Sequence, residues 1–213
     1  MKIYRSVFNS YMVNTYLLTT ANKQALLIDP AFGNRQEWNI MNNKINELGV
    51  NLQKVIITHA HADHIMGAAL LMETYPQVEL LLHREGWDLY HTINNYAMIM
   101  GFEKQNFPEP NGYLSENQQI DVDNCLLKIL YTPGHAPGSV SVYCAEANVV
   151  FTGDVLFRCS VGRTDLQGGN FEVLKNSIQQ KLYTLPDETL VLPGHGDESN
   201  IAYEKHYNPF VND

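Results

Sequence analysis

The sequence predicts an α/β fold in which two β-sheets pack face to face with helices on their outer sides. Short apolar runs typical of buried strands alternate with helix-like segments at both ends of the chain, around a middle rich in hairpin signals. The 213 residues are 45% hydrophobic and 17% charged, so we expect one globular domain over residues 1–213. Two sheets that share a core and bury their outer faces under helices satisfy this order of elements.

The N-terminal half contains strand signals followed by helix signals. Two strands are expected over residues 13–20 and 24–28, joined by a turn. Asn34 and Glu37 form a capping-box pattern before a helix that Gly49 ends. The next expected elements are a buried strand over 54–58, a helix opening at Asp63 with Ile65, Ala69 and Met72 on its apolar face, and a strand over 78–82.

Residues 84–115 fit no single period. Aromatic and methionine side chains are dense there, and Pro108 and Pro110 interrupt the pattern, so we expect an irregular helical insertion or flap. We expect it to serve as core or lid packing, with contact to substrate as the alternative. The elements expected beyond it are strands over 125–131, 139–144, 149–152 and 189–192, a helix after Asn170 with Phe171, Leu174, Ile178 and Leu182 on one face, and a short helix over 201–206.

Charge and composition exclude several classes of function. With 23 acidic and 14 basic side chains the net charge is −9, and no run of Lys and Arg forms a basic patch, so we expect no nucleic-acid partner. The apolar stretches are shorter than the roughly 20 residues that cross a bilayer, and residues 1–20 lack a signal-peptide core. We therefore expect a cytoplasmic protein without a membrane partner, in which Cys125, Cys144 and Cys159 are reduced thiols.

The strongest chemical signal is the segment THAHADH, at residues 58–64, directly after a predicted strand. Alternate side chains of an extended segment point the same way, so His59 and His61 can converge on one ion. Asp63 and His64 then turn into the next helix and can face a second ion. Imidazole and carboxylate groups are ligands that Zn²⁺, Fe²⁺ and Mn²⁺ accept, so the segment predicts a metal site.

Three further strand ends carry the same kind of residue. His135 stands in PGH, Asp154 in TGD and His195 in PGHG, each beside glycine that lets the backbone approach closely. Together with residues 58–64, these strand ends deliver five histidines and two aspartates to the sheet edges. The other three histidines lack such a setting, so we expect structural or surface roles for them: His83, His91 and His206.

The order HxHxDH, PGH, GD and PGHG resembles the metallo-β-lactamase-fold hydrolases, and the resemblance covers nearly the whole chain. It implies a four-layer αββα sandwich with two divalent metal ions at one edge of the sheets. Zinc is the expected metal, and iron and manganese are the other candidates. The resemblance implies that the first ion is held by His59, His61 and His135, the second by Asp63, His64 and His195, and that Asp154 bridges them.

Two segments resemble one branch of that family. VGRTD at residues 161–165, and YEK and NPF near the C-terminus, are similar to single-domain glyoxalase II-like thioesterases (hydroxyacylglutathione hydrolases). The implied function is hydrolysis of a small-molecule glutathione thioester of the S-lactoylglutathione type by a metal-bound hydroxide, with Asp63 as the catalytic residue that steers the proton. The helical domain that supplies much of the glutathione site in glyoxalase II is absent from this sequence.

Three alternatives stay open. GRTD is also similar to persulfide dioxygenases, where the equivalents of His59, His135 and Asp154 hold one iron. Another hydrolase of the fold, acting on a lactone or other ester, and a non-catalytic metal-binding protein are the remaining two. A β-lactam substrate is disfavoured because no signal peptide directs the chain to the periplasm.

Three other residues have two interpretations each. Asp29 either orients a ligand histidine or is an acid in a turn. Arg163 either pairs with Asp165 or meets a substrate carboxylate. Cys159 either packs structurally, which we favour, or approaches the metals.

Overall fold

Six strands within residues 2–114 form one sheet, in the order β1-β2-β3-β4-β5-β6. The computed structural model describes residues 1–212. β1, β2 and β3 are antiparallel, and β3 to β6 run parallel. The strands are β1 Lys2–Phe8, β2 Val13–Thr19, β3 Gln24–Ile28, β4 Asn51–Ile56, β5 Glu79–His83 and β6 Gly112–Leu114.

The second half of the chain forms another six-stranded sheet, in the order β14-β13-β10-β9-β8-β7, and a separate hairpin, β11-β12. β10 and β13 are parallel, whereas the other neighbours are antiparallel. The strands are β7 Gln119–Val122, β8 Cys125–Tyr131, β9 Val140–Cys144, β10 Val149–Gly153, β11 Leu156–Phe157, β12 Ser160–Val161, β13 Leu190–Pro193 and β14 Ser199–Asn200.

Six α-helices connect the strands in residues 1–212, and three of them begin at an asparagine cap, two of which were predicted. Asn34 accepts a hydrogen bond from the Glu37 amide at the start of the first helix, and Gly49 ends it in the left-handed region. Asn170 and Asn200 cap the last two helices in the same way. The helices are α1 Arg35–Leu48, α2 Ala62–Ile65, α3 Ala68–Thr74, α4 Trp87–Ile99, α5 Phe171–Ser177 and α6 Ile201–Tyr207. In residues 1–212, none of them combines the length and apolarity of a membrane span.

Successive residues of the central strands bury opposite faces, which produces the four layers. Leu18 of β2 lies in a core between the two sheets, together with Val142 of β9. Leu17 points the other way and packs in the core under α1, α3 and α4. A third core lies between the second sheet and α5 and α6. The predicted αββα sandwich is therefore confirmed.

The predicted helix from Asp63 through Met72 is two short helices instead. Gly67 separates α2 from α3, and its amide donates to the Pro30 carbonyl at 2.7 Å. A Cβ at Gly67 would lie 2.0 Å from the Phe32 ring, so this close approach requires glycine. The break shifts the helical register, and Ala68 and Leu71 are buried in place of the predicted Ala69 and Met72.

The expected irregular insertion over 84–115 contains a regular element. α4 is a helix of 13 residues that buries Tyr90, Ile93 and Ala97 on one face. The helical period was obscured because apolar residues, including Trp87 and Met98, also occupy the other faces. An extended segment follows α4 and leads into β6, which joins the edge of the first sheet.

Several short or edge elements were not predicted. β1 alternates without a strong apolar pattern, because an edge strand exposes much of its surface. The helix expected after Asn170 ends at Ser177 and continues as a wider turn over 178–182. Leu174, Ile178 and Leu182 are buried as expected, but Phe171 is exposed.

Candidate metal centre

Residues 58–64 leave the carboxyl end of β4 in an extended conformation and enter α2. His61 has φ −73° and ψ 148° at the N-cap position, so Asp63 and His64 lie in the first helical turn. The spacer residues Ala60 and Ala62 are fully buried, which explains why small side chains stand between the ligating types. The sequence pattern thus places two pairs of polar side chains at one sheet edge.

The second sheet brings the other three residues to the same edge. His135 follows β8, Asp154 follows β10, and His195 follows β13. The Gly194 amide donates to the Gly153 carbonyl at 2.8 Å, which ties the last two strand ends together. All seven residues that the sequence singled out therefore meet in one cluster.

The cluster contains two groups of three ligand atoms that share no residue, and the atoms of each group lie within 4.8 Å of one another. A third group of the same kind joins the two: His59, His64 and Asp154. In the first group, His135 Nε2 lies 2.9 Å from His61 Nδ1 and 3.3 Å from His59 Nε2. In the second, His195 Nε2 lies 3.3 Å from His64 Nε2 and 3.5 Å from Asp63 Oδ2. These groups are the two ligand sets that the family resemblance implies.

Asp154 lies between the two groups. Its Oδ1 is 3.3 Å from His64 Nε2, and its Oδ2 is 3.3 Å from His195 Nε2 and 3.7 Å from His135 Nε2. Within residues 1–212, Asp154 Oδ1 is a buried oxygen without a hydrogen-bond partner. A cation bound between the two groups would give this orphaned oxygen a partner.

The outer nitrogen of most of the histidines has an acceptor that fixes the tautomer. His135 Nδ1 lies 2.8 Å from the Arg163 carbonyl, and His195 Nδ1 lies 2.9 Å from the Tyr11 carbonyl. A carbonyl only accepts, so each Nδ1 carries a proton and each Nε2 faces the cluster. Where two neutral imidazoles face each other, their lone pairs repel unless a cation lies between them.

Asp29 contacts the outer nitrogen of a clustered histidine, so it orients a ligand histidine, which is the first of its two interpretations. Its Oδ2 lies 2.9 Å from His64 Nδ1 and accepts from Thr58 Oγ1 at 2.7 Å, while Oδ1 accepts from the Thr58 amide. Since the Thr58 hydroxyl proton points to Asp29, its oxygen is free to accept from His59 Nδ1 at 3.1 Å. One buried carboxylate thus orients a ligand histidine of each group.

The pKa shifts divide these clustered histidines into two sets, one with lowered and one with raised pKa values. Burial lowers the pKa of His59 well below its usual value, and burial lowers the pKa of His61 to about 4. Burial also opposes protonation of His64 and His195, but the nearby carboxylates outweigh it. The pKa of His195 rises to about 9, chiefly through hydrogen bonds with Asp154 and Asp63.

The two carboxylates are held in their charged form. Burial would raise the pKa of Asp154, but the charge of His64 and the hydrogen bond from His195 hold it well below its usual range. The same two histidines lower the pKa of Asp63 against its burial. Neutral imidazoles and ionised carboxylates are the donor states that divalent metal ions require, and a cation bound in the second group would replace the protons that the carboxylates hold on His64 and His195. The cluster therefore fits such ions.

Glycines keep the space around the ligands open. A Cβ at Gly194 would lie 2.3 Å from Asp154 Oδ1, and one at Gly162 would lie 3.0 Å from His135 Nδ1 and 1.9 Å from the Asp154 carbonyl oxygen. The first of these glycines belongs to the PGHG signal, whereas Gly162, in the VGRTD segment, was not predicted to border the site. Tyr11 was also missed, because any residue can supply a backbone carbonyl.

The remaining candidates lie outside the cluster. Arg163 pairs with Asp165 through two contacts of 2.7 Å, which is the first of its two interpretations. Cys159 Sγ contacts the Tyr203 hydroxyl at 3.5 Å and belongs to none of the ligand groups, which agrees with structural packing. The other histidines have separate partners: His83 stacks on Tyr131, His91 lies 3.6 Å from Glu109, and His206 packs on Tyr207.

Pocket geometry gives the cluster access to solvent. A cavity of about 590 Å³ is lined by clustered residues, among them His61, Asp63 and His195. A larger open groove of about 870 Å³ lies elsewhere, around Arg35 and Glu73, and no clustered residue lines it. A small molecule can therefore reach the metal ligands through the smaller cavity.

Comparison with known proteins identifies relatives over the full length. The chain is similar to the probable metallo-hydrolase YqgX of Bacillus subtilis, with 38% identity over 215 residues that cover 100% of this chain and 98% of that protein. It is similar to the hydroxyacylglutathione hydrolase GloC of Haemophilus influenzae, with 35% identity over 205 residues that cover 95% of this chain and 94% of that protein.

Solved structures show the same fold. BLEG-1 B3 metallo-β-lactamase superposes with a TM-score of 0.89 and 29% identity over 100% of both chains. TTHA1623 in a di-iron-bound form superposes with a TM-score of 0.86 and 33% identity over 98% of this chain and 100% of that one. The model of the metallo-β-lactamase superfamily matches residues 9–195, a range that ends on the last histidine of the cluster. The chain therefore belongs to the metallo-β-lactamase superfamily of metal-dependent hydrolases.

Proposed function

We propose that this protein hydrolyses small-molecule thioesters with two divalent metal ions, and that a glutathione thioester such as S-lactoylglutathione is a substrate. The observation that carries the proposal is the second complete ligand group, Asp63, His64 and His195, beside the first. A mononuclear site would not need it. Similarity to a relative named hydroxyacylglutathione hydrolase supports the choice of substrate class.

Each clustered residue has a role in this proposal. The first ion is held by His59, His61 and His135, and the second by Asp63, His64 and His195. Asp154, which approaches histidines of both groups, bridges the ions. We propose zinc as the metal, with iron and manganese as the alternatives, since all three accept imidazole and carboxylate ligands.

Divalent ions in such a site polarise a carbonyl oxygen and bring the pKa of a bound water close to 7. Asp63 and Asp154 neutralise only half of the charge of two divalent ions, so the site attracts an electron-rich carbonyl. Asp63 is ionised and lines the cavity, so its carboxylate can accept and steer the proton of the attacking water. A thiol has a pKa near 8.5, so the thiolate leaves without a strong general acid.

The proposal is tested by metal analysis together with two assays on one preparation. We expect about two ions per chain, release of thiol from S-lactoylglutathione, and no oxygen uptake with glutathione persulfide. One iron per chain with oxygen uptake and no thiol release would instead identify a persulfide dioxygenase, the function that the GRTD segment leaves open. Hydrolysis of a chromogenic cephalosporin without thioester cleavage would favour a β-lactamase, as in BLEG-1.

A further inference from the structure

The cavity beside the metal ligands has two walls from different parts of the chain. α4 supplies one wall with Leu89, Ile93 and Ile99, and the segment after β10 supplies another with Phe157 and Leu166. Its volume of about 590 Å³ falls in the range of roughly 300–1,000 Å³ typical of small-molecule sites. The metal ligands form the floor, so any substrate at the metals must also meet these walls.

Both walls expose large apolar side chains. Ile99 keeps 83% of its surface accessible and Leu166 keeps 41%, although each lines the cavity. Exposed apolar side chains that gather around one cavity mark a surface that is covered when a ligand binds. Neighbouring Met98 is 64% exposed but does not line the cavity.

The cavity offers little to a charged substrate group. Among residues 1–212, Arg163 is the one Lys or Arg side chain in its lining. Its Nε and Nη2 atoms each donate to Asp165 at 2.7 Å, so this charge is already neutralised. The surroundings therefore favour an apolar group over a carboxylate.

Two hydrogen bonds hold the α4 wall in place. The Tyr96 hydroxyl donates to Gln167 Oε1 at 2.8 Å and joins α4 to the opposite wall. The Tyr11 hydroxyl donates to the Met100 carbonyl at 3.2 Å, just beyond the end of α4. A wall fixed before binding lowers the entropic cost of binding, so the apolar surface can contribute to affinity.

From these observations we infer that the cavity binds an apolar acyl group, so that the enzyme prefers thioesters of straight-chain alkanoic acids over the hydroxylated lactoyl thioester. The inference rests on the proposed thioesterase function and specifies the acyl part of its substrate. Each methylene that leaves water for the apolar walls raises kcat/KM by about threefold to fourfold, until the cavity is filled.

The test compares butanoyl, hexanoyl and octanoyl thioesters with the lactoyl thioester, all carried on N-acetylcysteamine. In the zinc-loaded protein we expect kcat/KM to rise along the alkanoyl series and to exceed that of the lactoyl thioester by at least about tenfold. Equal or falling values along the series would overturn the inference while leaving the thioesterase function intact.

A binding experiment separates this inference from the proposed function. Calorimetric titration of the zinc-loaded protein with butanoate, hexanoate and octanoate requires no turnover, and we expect octanoate to bind at least about tenfold more tightly than butanoate. If no thioester is hydrolysed but affinity still rises with chain length, the thioesterase proposal fails and the apolar site stands. Affinity independent of chain length would overturn the apolar site.

Matched variants identify the wall. Ile99→Ser should flatten the dependence on chain length for both kcat/KM and binding, whereas Met98→Ser, its exposed neighbour outside the cavity, should leave both unchanged. Leu166→Ser on the opposite wall should act like Ile99→Ser. Since all three side chains are exposed, the variants should fold. An equal dependence on chain length in the Ile99 and Met98 variants would overturn the assignment of α4 as a wall of the cavity.

Discussion

Replacing Gly194 with alanine tests whether the end of β13 reserves space for the metal ligands. A Cβ at this position would lie 2.3 Å from Asp154 Oδ1 and 2.7 Å from His64 Cε1. The backbone of Gly194 does not have a positive φ, so an alanine at this position would not suffer left-handed backbone strain. The effect of Gly194→Ala therefore falls on its neighbours.

The size of the effect follows from the overlap. Real Cβ atoms essentially never make contacts under 3.0 Å, so the Asp154 carboxylate must retreat by about 0.7 Å. Metal–ligand distances are fixed to within about 0.2 Å, so a carboxylate displaced this far no longer serves both ions. We expect zinc affinity to fall by at least about tenfold and the free energy of unfolding of the metal-free protein to fall by about 1–3 kcal/mol.

Competition with a chromophoric zinc chelator measures the affinity, and thermal unfolding measures the stability. Gly196→Ala is the matched control, because its Cβ meets no atom within 4 Å but its φ of +74° strains alanine. The control should lose about 1–2 kcal/mol of stability and keep its zinc affinity. Wild-type affinity in Gly194→Ala, or an equal loss of affinity in both variants, would refute the reasoning.

Three further predictions concern the two metal sites. Asp154→Ala should reduce the metal content of both sites, whereas Asp63→Ala should mainly empty the second site. Elemental analysis of the two variants measures this, and an unchanged metal content in Asp154→Ala would contradict the bridging role. Because hydrogen bonds with the carboxylates raise the pKa of His195 to about 9 against its burial, a proton competes with the second ion below that pH. The affinity for the second ion should therefore rise by about tenfold per pH unit from 7 to 9 for each proton released on binding. Calorimetry in buffers of different ionisation enthalpy measures both the affinity and the number of protons released. An affinity that does not change with pH would contradict the prediction. Asp29→Asn keeps one acceptor oxygen but loses the charge beside His64, so chelator competition should show an affinity about 10–100-fold weaker, with an unchanged value as the contrary result.

The sequence alone identified the seven clustered residues, because metal ligation is chemically selective. Only a few side chains can ligate, and the HxHxDH spacing after a strand has few structural explanations. The strand ends at His135, Asp154 and His195 added glycines that suit a close backbone approach. The layers of two sheets with helices outside them followed from the order of strand and helix signals along the chain, because sheets and helices must bury their apolar faces against one another.

Local pattern was insufficient where apolar residues surround an element or barely occur in it. α4 is apolar on more than one face because it covers the sheet on one side and lines the cavity beside the metal ligands on the other. β1 was not predicted for the opposite reason, because it is an edge strand that buries little apolar surface. The break at Gly67 depends on the Phe32 ring, which lies far away in the sequence.

What only the tertiary structure decided is the support of the ligands. The Tyr11 and Arg163 carbonyls fix two histidine tautomers, and the Thr58 hydroxyl links Asp29 to His59 through hydrogen bonds. Every residue carries a backbone carbonyl, so no residue type marks the positions at which one accepts from a ligand histidine. Ligand chemistry is encoded in side-chain identity, whereas ligand orientation depends on which distant backbone atoms the folded sheets bring within hydrogen-bond reach.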